Sequence, residues 1–389
     1  MQKKITMRTV TFPTGYYDLH PDTGLNYEMN RFSGVDPGMI SRIREAAPRI
    51  KNYDDYTREF LALSEKAEKE NNTLYAACFL RSAEFFMWHT DPRKKDSRLR
   101  YLSLIRESYA IGEEYRHLIP YEKTKITAYR FTPESPKGVI VLFGGFDSYI
   151  EDLFPILLYF FQEGFDIIGF EGPGQGACLE DYHVPLTPDW HKPCSAVLDF
   201  FNLSDVTLIG YSLGGCMVVR AAALEPRVSR VICNDVLADF YQVILAGRSR
   251  MVAGAISFLS AAKLSFLYNF IMNRLMKKNL TLRWGNTQGM LVSQTKSPFA
   301  FLQFARKMET ASLSHLVKQD VLLMAGNRDH FVPLNQFFKQ MGNLTNARSV
   351  TGRIFTEQET AQSHCHIGNT GLSLRFICNW IRNTGPGAG

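Results

Sequence analysis

The spacing of apolar residues divides the chain into two parts with different periods. Between Thr23 and about Gly112, apolar residues recur every three to four positions, as in the segments that begin YDDYTREF at Tyr53 and TLYAACFL at Thr73. This spacing predicts amphipathic helices whose apolar stripes pack on one another and on another part of the protein. From about Thr124 onward, short apolar runs alternate with helical segments.

The second pattern predicts a mainly parallel sheet that is covered by helices on both faces. The predicted strands are Ile126–Phe131, Val139–Phe143, Asp166–Phe170, Val206–Ile209, Val228–Cys233, Val321–Met324 and Arg353–Phe355. The predicted helices are Glu151–Gln162, Trp190–Phe201, Gly214–Leu224 and Thr370–Ile381. Leu237 to about Leu316 contains no strand pattern, so we expect a helical insertion over the edge of the sheet where ligands bind.

These patterns predict an α/β fold and divide the chain into five segments. The segments are an N-terminal strand and helical cap region (1–122), the first part of the core (123–236), a helical cap insertion (237–316), the second part of the core (317–384) and a flexible tail (385–389). A chain of 389 residues can bury a large apolar core.

Composition and charge exclude several classes of protein. The formal net charge of +6 is small for this length, and no basic stripe with interleaved aromatic residues indicates a nucleic-acid partner. The seven cysteines are dispersed without a CxxC pair, which disfavours a disulfide framework or a zinc site. The N-terminal MQKKITMRTVTF lacks the apolar core of a signal peptide, so a cytoplasmic location is expected.

One apolar segment, Met251–Met272, is long enough to span a bilayer. Serine and asparagine residues interrupt it, at Ser257, Ser260, Ser265 and Asn269. The segment is therefore interpreted as a buried or cavity-lining helix, and a membrane partner is not expected. A lipase that acts at a membrane surface is a further alternative, which rests on this segment alone.

The segment LIGYSLGGC places Ser212 between Gly210 and Gly214, after a predicted strand and before a predicted helix. This is the context of a nucleophile elbow, a tight turn whose neighbouring residues must be small. The start of the helix provides free N–H groups for a developing oxyanion. We therefore predict that Ser212 is a nucleophile, although a glycine-rich turn that binds phosphate has a similar pattern.

A serine nucleophile needs a histidine base and an orienting acid, in the chain order Ser, Asp or Glu, His. Asp329 follows a predicted strand, and His364 and His366 follow the last one, so the residues occur in this order. Either histidine fits the role of base from its position. Asp235, which follows the strand at Val228–Cys233, is an alternative acid, and His330 is interpreted as structural.

Two glycine-rich segments complete the candidate chemistry. VLFGGFDSYIEDL follows a strand, and the backbone N–H of Gly145 or Phe146 is predicted to form an oxyanion hole with that of Leu213. FEGPGQGACLED resembles a dinucleotide-binding fragment only loosely, because no acidic residue follows a second strand at the required distance. It is interpreted as a tight loop beside the active site.

These motifs together resemble the α/β-hydrolases. EGPGQG, DWHKP, GYSLGG, LTNARSVTGRIF and HCHIGN resemble one branch, which contains 2,6-dihydroxypseudooxynicotine hydrolase and the fungal polyketide-shortening hydrolases of pigment biosynthesis. The similarity covers nearly the whole chain and includes RSAEFFM at Arg81–Met87. It implies that the N-terminal helices belong to a cap and that His364, which begins the HCHIGN stretch, is the base.

The resemblance implies cleavage of a carbon–carbon bond next to a ketone, in a polyketide or acyl-aromatic substrate. A carboxylesterase or thioesterase that acts on an apolar acyl substrate is the alternative. Neither reaction needs a metal ion or an organic cofactor. An apolar stripe left exposed on the N-terminal helices would favour a homodimer.

The substrate is expected to be an apolar or aromatic ketone bound by aromatic side chains. Phe146 and Tyr211 flank the predicted oxyanion hole and nucleophile, and Phe258, Phe266 and Tyr268 are the predicted contacts from the insertion. Phe270, Phe301 and Phe304 are further aromatic candidates there, although each of these insertion residues could instead pack helices together.

Overall fold

A computed structural model describes residues 7–384, which form an eight-stranded sheet with helices on both faces. The strands are β1 (Arg116–Tyr121), β2 (Thr124–Phe131), β3 (Val139–Phe143), β4 (Asp166–Glu171), β5 (Val206–Tyr211), β6 (Val228–Asn234), β7 (Asp320–Gly326) and β8 (Ser349–Phe355). Their order across the sheet is β1-β2-β4-β3-β5-β6-β7-β8. The pairs β1–β2 and β2–β4 are antiparallel and the others are parallel, so the predicted fold class is confirmed.

Every predicted strand is present, and one strand at the edge of the sheet was not predicted. All residues of β4, β5 and β7 are buried, as the continuous apolar character of central parallel strands requires. The missed strand β1 has the sequence RHLIPY, which includes Pro120 and alternates between buried and more exposed positions near its end. Proline is tolerated in an edge strand because its missing N–H can lie on the side that has no neighbouring strand to pair with.

The N-terminal region forms five helices that pack on the sheet and its covering helices. They are α1 (Thr23–Ser33), α2 (Gly38–Ala46), α3 (Tyr53–Lys69), α4 (Thr73–Phe85) and α5 (Lys94–Tyr109). Their apolar stripes share one core cluster with side chains of the sheet. Among the large apolar side chains of these helices, only Leu99 is strongly exposed. Helices α1 to α5 therefore do not show the exposed apolar stripe that would favour a homodimer.

Helices between the strands cover both faces of the sheet. They are α6 (Phe154–Gln162), α7 (Gly176–Glu180), α8 (His191–Phe200), α9 (Gly214–Ala222), α15 (Asn335–Asn343) and α16 (Thr370–Arg382). Four of them correspond to the predicted helices. The predicted Glu151–Gln162 helix begins instead at Phe154, after a short 3-10 turn.

The insertion between β6 and β7 is helical, as predicted. Its helices are α10 (Phe240–Leu245), α11 (Arg250–Ala261), α12 (Ser265–Met276), α13 (Leu280–Ser293) and α14 (Pro298–Ala305). The apolar segment Met251–Met272 is split between α11 and α12 by a turn at 262–264. Within residues 7–384, no helix combines the length and the apolar character needed to cross a membrane.

The division into five segments remains a prediction. The segment 1–122 contains β1, which is part of the sheet and pairs with β2. The tail predicted at 385–389 lies outside the described residues. All seven cysteines have free thiols.

Candidate active site

Ser212 lies in the turn between β5 and α9, with a positive φ of 58°. The turn closes because its neighbours have no side chains. A Cβ at Gly210 would lie 2.0 Å from the carbonyl oxygen of Gly214, and one at Gly215 would lie 1.9 Å from the carbonyl oxygen of Asp235. A non-glycine residue with this φ is uncommon and marks a strained, functional position. The geometry is that of a nucleophile elbow.

The structure brings the three predicted triad residues together at the carboxyl end of the sheet. His364 Nε2 lies 2.8 Å from Ser212 Oγ, and His364 Nδ1 lies 2.5 Å from Asp329 Oδ2. The other oxygen of Asp329 accepts the backbone N–H groups of Phe331 and Val332, at 2.7 and 3.0 Å. These two bonds fix the carboxylate, and the carboxylate in turn orients the imidazole.

A second carboxylate also contacts the imidazole. Asp235 Oδ2 lies 3.1 Å from His364 Nδ1 and accepts the backbone N–H of Cys365 at 2.6 Å. His366 does not face Ser212. Its Nε2 lies 3.3 Å from Asp235 Oδ1 without hydrogen-bond geometry, and its ring packs on Phe355. The structure therefore places His364, and not His366, in the position of the base.

The charges around His364 favour its protonated form. Burial lowers the pKa of His364, but Asp329 and Asp235 raise it, and the net pKa lies well above the ordinary value. Burial raises the pKa of Asp235, but His366, His364 and the N–H of Cys365 lower it, so its net pKa falls below the usual range. Burial raises the pKa of Asp329. Asp235 thus holds a negative charge that stabilises an imidazolium on His364.

This arrangement predicts a shift of the pH profile in Asp235→Asn. A general base must be neutral, so the rate falls as the pH drops through the pKa of His364. Removal of the charge of Asp235 lowers that pKa, and the acid limb of kcat/KM is expected to move to lower pH. Rates measured at substrate concentrations well below KM report the free enzyme. An acid limb that stays in place would contradict a role for Asp235 in setting this pKa.

The loop after β3 lies against Ser212 and Leu213, where the second oxyanion donor is predicted. A Cβ at Gly145 would lie 2.8 Å from Leu213 N and 2.9 Å from Ser212 Cβ. The N–H of Gly145 donates to Ser148 Oγ at 3.2 Å. The N–H groups of Phe146 and Leu213 have no hydrogen-bond partner among the described residues. Of the two predicted donors in this loop, Phe146 is therefore the one left free to pair with Leu213.

Gly145→Ala is expected to lower kcat by about 10²- to 10³-fold, the cost of losing one oxyanion donor. The new methyl group would lie against backbone atoms that cannot move without displacing Ser212 and Leu213. Steady-state kinetics would measure the loss. Gly254→Ala is the matched control, because a Cβ at that position in α11 meets no atom within 4 Å. Equal activity of the two variants would show that the loop at Gly145 does not take part in the reaction.

Buried polar contacts hold the loop after β3, residues 144–147, from two sides. The amide of Gln175, in the EGPGQG loop, donates to the carbonyl oxygens of Gly144 and Gly145 at 2.9 Å. From α4, Arg81 donates to the carbonyl of Asp147 and to both oxygens of Asp152. The predicted place of the EGPGQG loop beside the active site is thus observed. Through Arg81, the N-terminal helix α4 thus helps to hold the loop that lies beside Ser212.

A cavity of about 710 Å³ opens onto Ser212 and His364. It lies between the sheet, the N-terminal helix α1 and the cap insertion. Phe146 and Tyr211 line it, as predicted, and so does the further aromatic candidate Phe301. Lining residues that the sequence did not indicate are Tyr27, Arg31, Asp147, Phe240, Trp284 and Phe331.

Three of the predicted substrate contacts do not line this cavity. Phe258 and Phe266 are 66% and 85% exposed, on the outer surface of α11 and α12. Tyr268 is buried but packs against Phe299 within the cap. These predictions are not met, because the helices that carry the residues turn their aromatic side chains away from Ser212.

Helix α1 also contributes to the position of His364. The hydroxyl of Tyr27 donates to the carbonyl of His364 at 3.2 Å, and its ring packs on His330 and Phe331. Tyr27 is 337 residues from His364 in sequence, so no local pattern could indicate the contact. His330 packs in this aromatic group, where burial lowers its pKa to about 4.

Three potential metal ligands, Asp235, His364 and Cys365, lie within 4.8 Å of one another. Both ring nitrogens of His364 already contact other groups, Ser212 on one side and the carboxylates on the other. A metal ion at this position would have to displace those contacts. The residues therefore fit acid–base chemistry better than metal binding.

A serine at a strand-to-helix turn, a histidine and an acid on following loops and a mainly parallel sheet define the class of the α/β-hydrolases. The model of the α/β-hydrolase fold matches residues 139–351, more than half of the chain, and the chain belongs to this family. The family predicted from the sequence motifs is thus confirmed.

Curated relatives are hydrolases of filamentous fungi. The chain is 29% identical over 304 residues to the hydrolase acrC of Aspergillus aculeatus, covering 67% of this chain and 68% of the relative. It is 26% identical over 357 residues to the 20-hydroxy-prefusarin hydrolase FUS2 of Gibberella moniliformis, covering 79% and 83%. The chain is therefore an α/β-hydrolase related to these fungal enzymes.

Two solved structures have the same fold over almost the whole chain. The 2,6-dihydroxy-pseudo-oxynicotine hydrolase has a TM-score of 0.62 at 19% identity and covers 92% of this chain and 95% of its own. AbyA5 has a TM-score of 0.67 at 17% identity, with coverage of 93% and 95%. The similarity thus includes the N-terminal helices and the cap insertion as well as the sheet.

Proposed function

We propose that this protein is a serine hydrolase that cleaves a carbon–carbon bond next to a ketone in an apolar, polyketide-like or acyl-aromatic substrate. Two hydrogen bonds carry the proposal: they join Ser212 to His364 and His364 to Asp329. The three side chains lie at the base of a large and mainly apolar cavity. The substrates named for FUS2 and for the pseudo-oxynicotine hydrolase indicate the same class.

The proposed reaction uses one water molecule and passes through an acyl-enzyme. His364 Nε2 accepts the proton of Ser212 as its Oγ attacks the ketone carbon, and the N–H groups of Phe146 and Leu213 bind the oxyanion. Collapse of this intermediate breaks the carbon–carbon bond, and the electron pair leaves on an enolate. His364 returns its proton to that carbon. Water, deprotonated by His364, then adds to the acyl carbon. The bond from that carbon to Ser212 Oγ breaks, His364 returns the proton to Oγ, and a carboxylic acid leaves.

Two guanidinium groups line the cavity and offer binding partners for an anionic part of the substrate or of the leaving group. Arg31 and Arg248 line a cavity whose other walls are mainly apolar. Arg31 is paired with Glu28 and Asp147, at 3.3 and 3.2 Å, whereas Arg248 forms no ion pair with a described acidic residue. Arg248 therefore offers the less compensated positive charge to an enolate leaving group, and it would stabilise the anion released from an ester in the same way.

The proposal is tested by comparing an aromatic β-diketone, such as benzoylacetone, with an ester of similar length. Proton NMR would follow the release of acid and methyl ketone from the diketone, with Ser212→Ala as the blank. A higher kcat/KM for the diketone is expected. Fast ester turnover with an inert diketone would replace the proposal with a carboxylesterase or thioesterase.

A further inference from the structure

We propose that the outer face of the cap helices α11 and α12 docks the protein onto an anionic membrane surface. This face, called the cap face, consists of the exposed side chains of residues 250–280. The inference concerns a surface outside the active site and goes beyond the proposed function. It also differs from the membrane span that the sequence disfavours, because here the helices lie on the bilayer.

More than half of the strongly exposed large apolar side chains in the described chain lie on the cap face. Eighteen large apolar side chains are strongly exposed, and ten of them lie within residues 251–280. The ten are Met251, Val252, Phe258, Leu264, Phe266, Leu267, Phe270, Ile271, Leu275 and Leu280. Single exposed apolar residues are ordinary, but a contiguous group marks an interaction surface.

The apolar residues follow the surface of α12 at helical spacing. Phe266 and Phe270 form one row, and Leu267, Ile271 and Leu275 form the next, all at intervals of four residues. Tyr268 and Met272 are the buried residues of this helix. Helix α12 therefore has apolar side chains both toward the protein and toward the outside. In water, an outward group of large apolar side chains on such a helix is normally covered by a partner.

The same region is strongly basic. Between Asp239 and Glu309 the sequence contains no acidic residue and ten lysine and arginine residues. The ten are Arg248, Arg250, Lys263, Arg274, Lys277, Lys278, Arg283, Lys296, Arg306 and Lys307. The ion pairs of the described chain include none of them. Since the whole chain has a formal charge of +6, the rest of it carries a net negative charge.

This combination fits an anionic bilayer better than a second copy of the chain. Exposed aromatic and aliphatic side chains insert into the headgroup boundary, and lysine and arginine are attracted to anionic lipid headgroups. Two copies that met through this face would bring like charges together, which is unfavourable. Helices α11 and α12 have 12 residues each, too short to cross a bilayer, so they would lie in its surface.

The cap face adjoins the mouth of the active-site cavity at both of its ends. Ala246, Gly247 and Arg248, just before α11, line the cavity. Asn279 and Thr281, just after α12, also line it and are exposed to solvent. A protein bound through the cap face would thus hold the cavity mouth close to the lipid. An apolar substrate dissolved in the bilayer would have a short path to Ser212.

The test is co-sedimentation of the full chain with phosphatidylcholine vesicles, with and without phosphatidylserine. Binding is expected only with the anionic vesicles, and it should weaken at high salt because the electrostatic attraction is screened. The double variants Phe258→Ser/Phe266→Ser and Lys277→Glu/Lys278→Glu are each expected to lower the partition coefficient at least about tenfold.

Matched controls use exposed residues outside the cap. Phe338→Ser changes a side chain in α15 that is 58% exposed, and Lys51→Glu/Lys123→Glu reverses two exposed charges elsewhere. Both controls should bind like the wild type. The proposal is wrong if the wild type does not sediment with anionic vesicles. It is also wrong if the controls lose as much binding as the cap variants. A wild-type dimer that Phe258→Ser/Phe266→Ser converts to a monomer, without vesicle binding, would instead identify a subunit interface.

Discussion

Ser212→Ala is expected to reduce turnover by at least about 10⁴-fold while the protein remains folded. In the proposed reaction the hydroxyl is the nucleophile, and no other side chain lies in the same position at the elbow between β5 and α9. Alanine is smaller than serine, so it fits the tight turn and should leave the fold unchanged. Circular dichroism and thermal unfolding would show that the fold is intact, and steady-state kinetics would measure the loss.

A second readout makes this prediction independent of the choice of substrate. A serine-directed organophosphonate should add one adduct to the wild-type protein and none to Ser212→Ala, as measured by intact-protein mass. The wild-type adduct should map to the peptide that contains Ser212. An adduct that persists in the variant would place the nucleophile elsewhere.

The two histidines of HCHIGN are expected to differ sharply when each is replaced by alanine. His364→Ala removes the group that contacts Ser212 Oγ at 2.8 Å, and a loss of turnover similar to that of Ser212→Ala is expected. His366→Ala removes a buried ring beside Asp235 and Phe355, which affects packing and one charge contact. Its loss of kcat should be far smaller, with part of the effect appearing as lower thermal stability.

The double variant Ser212→Ala/His364→Ala provides the control for this comparison. Residues that act as one catalytic unit give non-additive losses, so the double variant should be about as active as either single variant. Small and equal losses in His364→Ala and His366→Ala would remove both residues from the role of base. A large loss in His366→Ala alone, with an intact fold, would exchange their roles.

Local sequence patterns predicted the elbow and the sheet because each depends on neighbouring residues. The central strands are buried on both faces and appear as continuous apolar runs, and Ser212 lies between the last residue of such a run and a helix. Those patterns did not decide whether Asp235 or Asp329 orients the histidine, and the order of the strands explains why. Strands β6 and β7 are parallel neighbours, so Asp235 and Asp329 reach the same edge and both contact His364.

Long-range contacts account for what the sequence did not predict. Tyr27 and Arg31 belong to α1 and reach the cavity only after the N-terminal helices pack over the sheet. Residues 251–272 are apolar whether they face the cavity or the outside, so composition could not show that Phe258 and Phe266 point outward. The direction of those side chains depends on which few residues, such as Ile256 and Tyr268, pack on the neighbouring helices.

Cleavage of a carbon–carbon bond through an acyl ester on Ser212 can be followed by trapping that ester. The protein is mixed rapidly with an aromatic β-diketone, quenched in acid and analysed by intact-protein mass. A transient mass increase equal to one acyl fragment is expected, located on Ser212 and absent from Ser212→Ala. Cleavage of the diketone by the wild type with no acyl adduct, and at an equal rate in Ser212→Ala, would show that the bond is not broken through Ser212.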